Sequence, residues 1–313
     1  MNIETDIILQ PVAPDLQFPC KQAGYYFNHA AISPWPAATA AAVAKFAAEN
    51  ARQGPAAYSE WLKRERRLRK QLATLVGAAS DQDIALVKNT TEAISVVAWG
   101  LDWRAGDNLV LPEGEFPSNR LPWLAQRERG VEIREVDIRG AENAEQALIS
   151  AMDRNTRLLA VSSVQWRDGF RLDLEQLGAA CKARGALFFV DAIQQLGALQ
   201  IDVSACHINF LAADAHKWLL GPEGIAIFYS DAESRPLVRL RQLGWHMFEN
   251  PWSFDPGEET PTASARRFEA GSPNTLGQVA LSASLDVLFE TGLEKVEQQV
   301  LDNTSHLLKH LSS

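Results

Sequence analysis

Short apolar runs alternate along this chain with longer stretches in which apolar residues recur every three or four positions. The runs at 84–87, 108–112, 131–136, 157–163, 186–190, 208–213 and 225–229 have the length and the turn-rich flanks of buried strands. Between them the spacing is helical. Trp61, Leu68, Leu72, Leu75 and Val76 share one face of a helix that Gly77 would end. Residues 37–49 are alanine-rich, 93–101 and 144–152 read as helices, and Leu172, Leu174 and Leu177 lead into a helix ending near Gly185. Residues 276 to about 311 repeat Leu, Val and Ala at helical spacing. The pattern predicts an α/β protein.

Composition narrows the picture. With 313 residues, 46% of them hydrophobic and 22% charged, the chain can bury a large core and form one large α/β unit plus a smaller part. A net charge of −9 argues against nucleic acid or an anionic membrane as the main partner, although a phosphate pocket can still be locally positive. Lys63, Arg64, Arg66, Arg67, Arg69 and Lys70 cover the rest of the helix around Leu68, and are read as a solvated or subunit-facing surface. Cys20, Cys181 and Cys206 are odd in number and lack CxxC spacing, so neither a disulfide framework nor a metal site is expected, and a reducing cytoplasm fits. Without a leader-like apolar segment or a run of about 20 apolar residues, a soluble, unexported chain is expected. Residues 1–24, with Pro11, Pro14 and Pro19, read as an N-terminal arm.

The candidate chemistry lies in residues 188–230. The strand at 186–190 delivers Asp191; the run at 208–213 delivers Asp214, His216 and Lys217, and Gly221-Pro222-Glu223-Gly224 turns the chain into the next strand. Ligands of open α/β sheets gather at such strand ends, where a desolvated lysine can act as an amine nucleophile. An acid and a lysine so placed suit pyridoxal phosphate chemistry, in which the lysine holds the cofactor as a Schiff base and the acid keeps the pyridine nitrogen protonated. The spacing alone is not specific, because aspartates end strands and lysines follow them in many α/β proteins. Farther upstream, the strand at 84–87 runs into Asn89-Thr90-Thr91-Glu92 and then a helix. That is an anion site by backbone N–H groups and dipole, and equally a capping box.

The D-x-x-Q of Asp191 and Gln194, followed by His216-Lys217-Trp218 and GPEG, resembles the cofactor core of the class V aminotransferase family. That family of fold-type I enzymes includes cysteine desulfurases, selenocysteine lyases, kynureninases and isopenicillin N epimerase-like proteins, and the likeness runs from about Tyr26 to the C-terminus. The resemblance implies a large domain with a mixed, mainly parallel seven-stranded sheet flanked by helices, carrying pyridoxal 5′-phosphate. It gives Lys217 the covalent anchor and the substrate Cα proton, Asp191 the pyridine nitrogen and Gln194 the phenolic oxygen. His216, Thr90 and Thr91 take the phosphate, and Phe116 the ring stack. Asp214 stands where many desulfurases have serine, so it is expected to point away or to pair with an arginine. Asn28 and His29, in a small-residue turn, are candidates near the substrate carboxylate. In ARRFEAGSPN, residues 265–274, Ser272 would reach the phosphate in a neighbouring subunit, which implies a homodimer.

The chain also departs from the desulfurase branch. Phe116 stands where desulfurases carry an acid-base histidine, and Trp166 where they place an asparagine; SxxWxxGFRxD is closer to the epimerase-like branch. Trp166 is read as a pocket wall or a core residue. Residues 25–275 would form the cofactor-binding domain and 276–313 a helix leading into a truncated or absent small domain, with the carboxylate-gripping arginine missing. The expectation is an enzyme acting on a small amino acid, with transferase, lyase and epimerase chemistries left open; the alternative is a cofactor-binding protein impaired by loss of that anchor.

Overall fold

The computed structural model describes residues 17–311 apart from 254, 256 and 258. Most of the expected N-terminal arm therefore lies outside the described residues. Helices α1 (Ala37–Gln53) and α2 (Tyr58–Val76) precede strand β1 (Ile84–Val87), helix α3 (Thr90–Gly100) and strand β2 (Asn108–Pro112). There follow α4 (Leu121–Leu124), β3 (Glu132–Val136), α5 (Ala144–Ala151), β4 (Thr156–Ser162), α6 (Leu174–Arg184), β5 (Leu187–Asp191), β6 (Phe210–Asp214) and β7 (Ala226–Ser230). The expected C-terminal helical segment is two helices, α7 (Thr275–Thr291) and α8 (Leu293–Leu311), because Gly292 takes a left-handed φ of 89° between them.

The strands form one seven-stranded sheet in the order β1-β7-β6-β5-β4-β2-β3. β7 is antiparallel to both its neighbours, and the other pairs are parallel. β1 therefore runs in the same sense as β6, and the carboxyl ends of β1, β2, β4, β5 and β6 share one edge.

Alternate side chains of each central strand enter opposite cores. Phe188 and Val190 of β5 and Leu211 and Ala213 of β6 join the core beneath α2, α5, α6 and α7, where Leu68, Leu72, Leu148, Leu177, Leu281 and Leu285 are buried. Phe189, Phe210 and Phe228 face the other way, with Ile94 and Val97 of α3 and Trp123 of α4. Their rings stack across neighbouring strands, with centroids 6.5 and 6.2 Å apart. This two-sided burial explains why these strands read as continuous apolar runs.

The basic helix carries a correction. The sequence pattern groups Arg69 with the solvated charges of α2, yet it is 7% exposed. It donates to both carboxylate oxygens of Glu269, at 2.6 and 2.8 Å, to Glu65 at 2.6 Å and to the Ile84 carbonyl at 2.8 Å. Glu269 also accepts from the Leu86 N–H. Arg69 thus fastens α2 to β1 and to the segment before Ser272. Sequence spacing could not separate it from its exposed neighbours, because its partner lies 200 residues away.

Arg69→Ala should cost about 3–5 kcal/mol, because it leaves two carboxylates without their partner in a dry interior. Chemical denaturation of the variant against wild type checks this.

Candidate active site

The loops leaving the carboxyl ends of β1, β2, β4, β5 and β6 surround a cleft of about 460 Å³. Ala30, Ala31, Asn89, Thr90, Thr91, Phe116, Ser118, Trp166, Ile193, Gln194, Asp214, His216 and Lys217 line it. The chain converges there for local reasons. Gly197 has φ 96°, and a Cβ on it would lie 2.1 Å from the Trp218 carbonyl oxygen, so the turn after Asp191 packs directly on the segment carrying Lys217. The Trp218 indole N–H donates to Gln194 Oε1 at 2.9 Å, and Gln194 Nε2 donates to the Ala30 carbonyl at 3.0 Å, which ties in the small-residue turn. The Gln194 amide keeps one N–H for a ligand.

Lys217 is 9% exposed, and its Nζ lies 5.6 Å from the centre of the Phe116 ring. Burial pushes its amine below the ordinary lysine range, while the charges of Asp191 and Asp214 pull the other way. Asp191, at the end of β5, is 2% exposed and accepts from the Ile193 N–H at 3.0 Å. Burial is the main cause that raises its carboxyl to about 7; the Ile193 bond opposes, the Glu115 charge adds, Lys217 opposes and Asp214 adds.

Asp214 neither points away nor meets an arginine, as expected from the sequence. It lines the cleft, accepts from the Ala215 N–H at 3.0 Å and lies 3.1 Å from His216 Nδ1. That approach lacks hydrogen-bond geometry, so His216 Nδ1 is a buried nitrogen without a hydrogen-bond partner. The Ala215 N–H of its own turn holds the acid at the cleft, with no distant arginine.

At the start of α3, Asn89 caps the helix by accepting from the Glu92 N–H at 2.8 Å, and Glu92 accepts in turn from the Lys88 N–H at 2.6 Å. The cap thereby leaves the threonines to face the cleft. Thr90 Oγ1 is buried without a partner, and Thr91 Oγ1 donates to Ser118 Oγ at 2.8 Å. These hydroxyls, the α3 N-terminus and His216 fit a phosphate, and the orphaned Thr90 and His216 atoms are the polar groups that such a ligand would satisfy. No arginine is among the described residues lining the cleft.

Trp166 is a wall and not a core residue. It is 45% exposed, meets Phe116 edge to face at 5.7 Å and donates its indole N–H to the Gly114 carbonyl at 3.0 Å. His29 stacks on Trp218 at 5.4 Å, outside the cleft lining, and burial lowers its imidazole below the ordinary range. Asn28 is exposed and likewise does not line the cleft. Ser272 is not brought to Lys217 within one chain. It lies in an exposed segment that Asn274 fixes, through its 2.9 Å bond to the Gly224 carbonyl and its cap on α7.

Two residues escaped sequence reasoning. Ser118 completes the hydroxyl pair with Thr91, and Glu115 lies buried just before Phe116. A carboxylate between the Glu113-Gly114 turn and Pro117 reads as surface, and only its partners at the end of β4 show otherwise. Among the described residues no group of His, Cys, Asp and Glu could hold a metal, and no helix is long and apolar enough to cross a membrane.

The unfolded Asp191 carboxyl titrates near 3.8 and the folded one at about 7. Between those values the folded state keeps a proton that the unfolded state has lost, so stability falls as pH rises through this window. Wild type should lose on the order of 4 kcal/mol relative to Asp191→Asn across it, read from denaturant midpoints of the cofactor-free protein at stepped pH.

The aminotransferase class-V family profile matches residues 25–313. A probable cysteine desulfurase of Methanothermobacter thermautotrophicus is 34% identical over 297 residues, covering 92% of this chain and 72% of the relative. The apo cysteine desulfurase of Thermococcus onnurineus superposes with a TM-score of 0.82 at 27% identity, over 95% of this chain and 76% of that one. A C-DES mutant with glycine covalently linked to its pyridoxal phosphate cofactor superposes with a TM-score of 0.87 at 25% identity, over 96% and 81%. The chain spans 57% to 72% of the length of curated relatives that it matches. The matched profile, the shared sheet and the Asp191–Lys217 edge together make this chain a member of the class V aminotransferase family of fold-type I enzymes, which use pyridoxal 5′-phosphate.

Proposed function

We propose that this chain is a pyridoxal 5′-phosphate-dependent enzyme acting on a small amino acid, of the lyase-like or epimerase-like branch, with Lys217 as the amine that holds the cofactor. The observation that carries the reading is a buried, cleft-facing lysine with a depressed amine, opposite a buried acid at the end of the neighbouring strand. When bound, pyridoxal phosphate supplies a protonatable pyridine ring that takes up the electron pair left at the substrate Cα.

The residues present fit that group. Asp191 would meet the ring nitrogen, Gln194 the phenolic oxygen and Phe116 the ring face. Thr90, Thr91 and His216 would hold the phosphate, which the buried and unpartnered Thr90 Oγ1 and His216 Nδ1 support. Ser272, exposed and away from its own cleft, would reach the phosphate of a second copy in a homodimer. Lys217 Nζ forms no hydrogen bond among the described residues, and burial lowers its proton affinity, so its amine would be placed to take up the Cα proton and return it. Trp166 and Phe116 wall off water on one side, and Asn28 and His29 stand near the turn where a substrate would enter. In this reading residues 25–275, with α7 packed against their core, form the cofactor-binding unit.

The relatives' names put cysteine and cystine first among the substrates to test. Sulfur transfer to a thiol of this chain is not supported. Burial pushes Cys181 up to about 12 and Cys206 up to about 11, which leaves little thiolate, and neither these nor Cys20 line the cleft. Free cysteines suit a cytoplasmic setting.

Protein incubated with pyridoxal phosphate should acquire a visible absorption band that borohydride bleaches, and peptide mapping should find the label on Lys217. Lys217→Ala should lose that band and lower turnover of L-cysteine or cystine by at least about 100-fold. A label on another lysine, or none, would require a different function.

A further inference from the structure

Glu115 is a buried carboxylate to which the chemistry proposed above gives no part. It is 4% exposed and sits in the turn after β2. Its Oε1 accepts from the Ser162 N–H at 2.6 Å and from Gln165 Nε2 at 3.1 Å, and its Oε2 accepts from Ser162 Oγ at 2.5 Å. Asn119 also turns its amide towards the carboxylate, short of hydrogen-bond geometry. The Ser162 and Gln165 N–H groups donate to it and favour the anion, whereas burial, the larger influence, raises its carboxyl above the ordinary range.

The path from these bonds leads to Asp191. Ser162 ends β4 and is the register partner of Asp191 on β5, and the Ser163 N–H donates to the Asp191 carbonyl at 2.9 Å. The charged groups that act on the Asp191 carboxyl are Glu115 from the β2 turn, and Asp214 and Lys217 from the β6 turn; the Ile193 N–H comes from its own loop. Glu115 and Asp214 favour a proton on Asp191, while Lys217 opposes it.

We propose that Glu115 is a positioning residue for Asp191: it fastens the end of β4 beside that acid and keeps a fixed negative charge in its field, so that the proton shared by Asp191 and the ring nitrogen stays bound. The part played by the ring nitrogen rests on the proposed function; the coupling of Glu115 to Asp191 does not. Ordinary structural carboxylates need only hydrogen bonds.

The test uses the cofactor-free chain, with carboxyl carbons followed by ¹³C NMR through a pH titration and assigned by through-bond correlation. Glu115 should remain ionised over the range in which Asp191 titrates. Glu115→Gln should lower the Asp191 midpoint from its wild-type value, whereas Ser162→Ala, which deletes a hydrogen bond and keeps the charge, should leave it near wild type. An unchanged midpoint in folded Glu115→Gln, or an equal fall in Ser162→Ala, overturns the proposal. A Glu115 already protonated across that range in the wild type overturns it without any variant. A chain that shows the expected shift but does not retain pyridoxal phosphate supports the coupling and overturns the proposed function alone.

Discussion

Keeping charge out of water at one edge of the sheet is the constraint on which the rest of this structure depends. Asp191 and Lys217 are both more than nine-tenths buried, with Glu115 and Asp214 beside them. Isolated ions in such a place would cost several kcal/mol each. The cost is offset in two ways: the groups move their proton affinities, up for Asp191 and down for Lys217, and backbone N–H groups and hydroxyls converge on the carboxylates. The shifted affinities are what general acid–base work near neutral pH requires, so the strain of burial and the capacity for chemistry have one origin.

The sheet makes that burial possible. Parallel strands place their carboxyl ends together, so loops as far apart in sequence as those at Asn89 and Lys217 arrive at one cleft with no special linker. Phe189, Phe210 and Phe228 brace the neighbouring strands from one side, and the aliphatic core holds them from the other. A second dry charge cluster, Arg69 with Glu65 and Glu269, does the same for the far strand. It joins α2, β1 and the segment carrying Ser272, and so holds a remote loop in register with the site's framework.

The cleft itself blends two styles of recognition. One side is polar and built for an anion: the α3 N-terminus, Thr90, Thr91, Ser118 and His216. The other is aromatic, with Phe116 and Trp166 meeting edge to face above the lysine. A flat, charged heteroaromatic ligand matches both sides at once, which is why the fit does not depend on any single residue.

Much of this was legible in the chain. Continuous apolar runs with acids at their ends marked the strands, the order of elements and the strand ends that carry Asp191, His216 and Lys217, because side-chain periodicity and strand-end chemistry are local properties, whereas Gln194 rested on the family resemblance. Only the tertiary structure decided what depends on partners far apart in sequence. It buried Arg69 against Glu269, turned Asp214 to His216, set Trp166 as a wall, left Ser272 outside its own cleft and bound the buried Glu115 carboxyl to β4. Whether a charge is solvated or buried is settled by which elements pack over it, and a one-dimensional pattern carries no record of that packing.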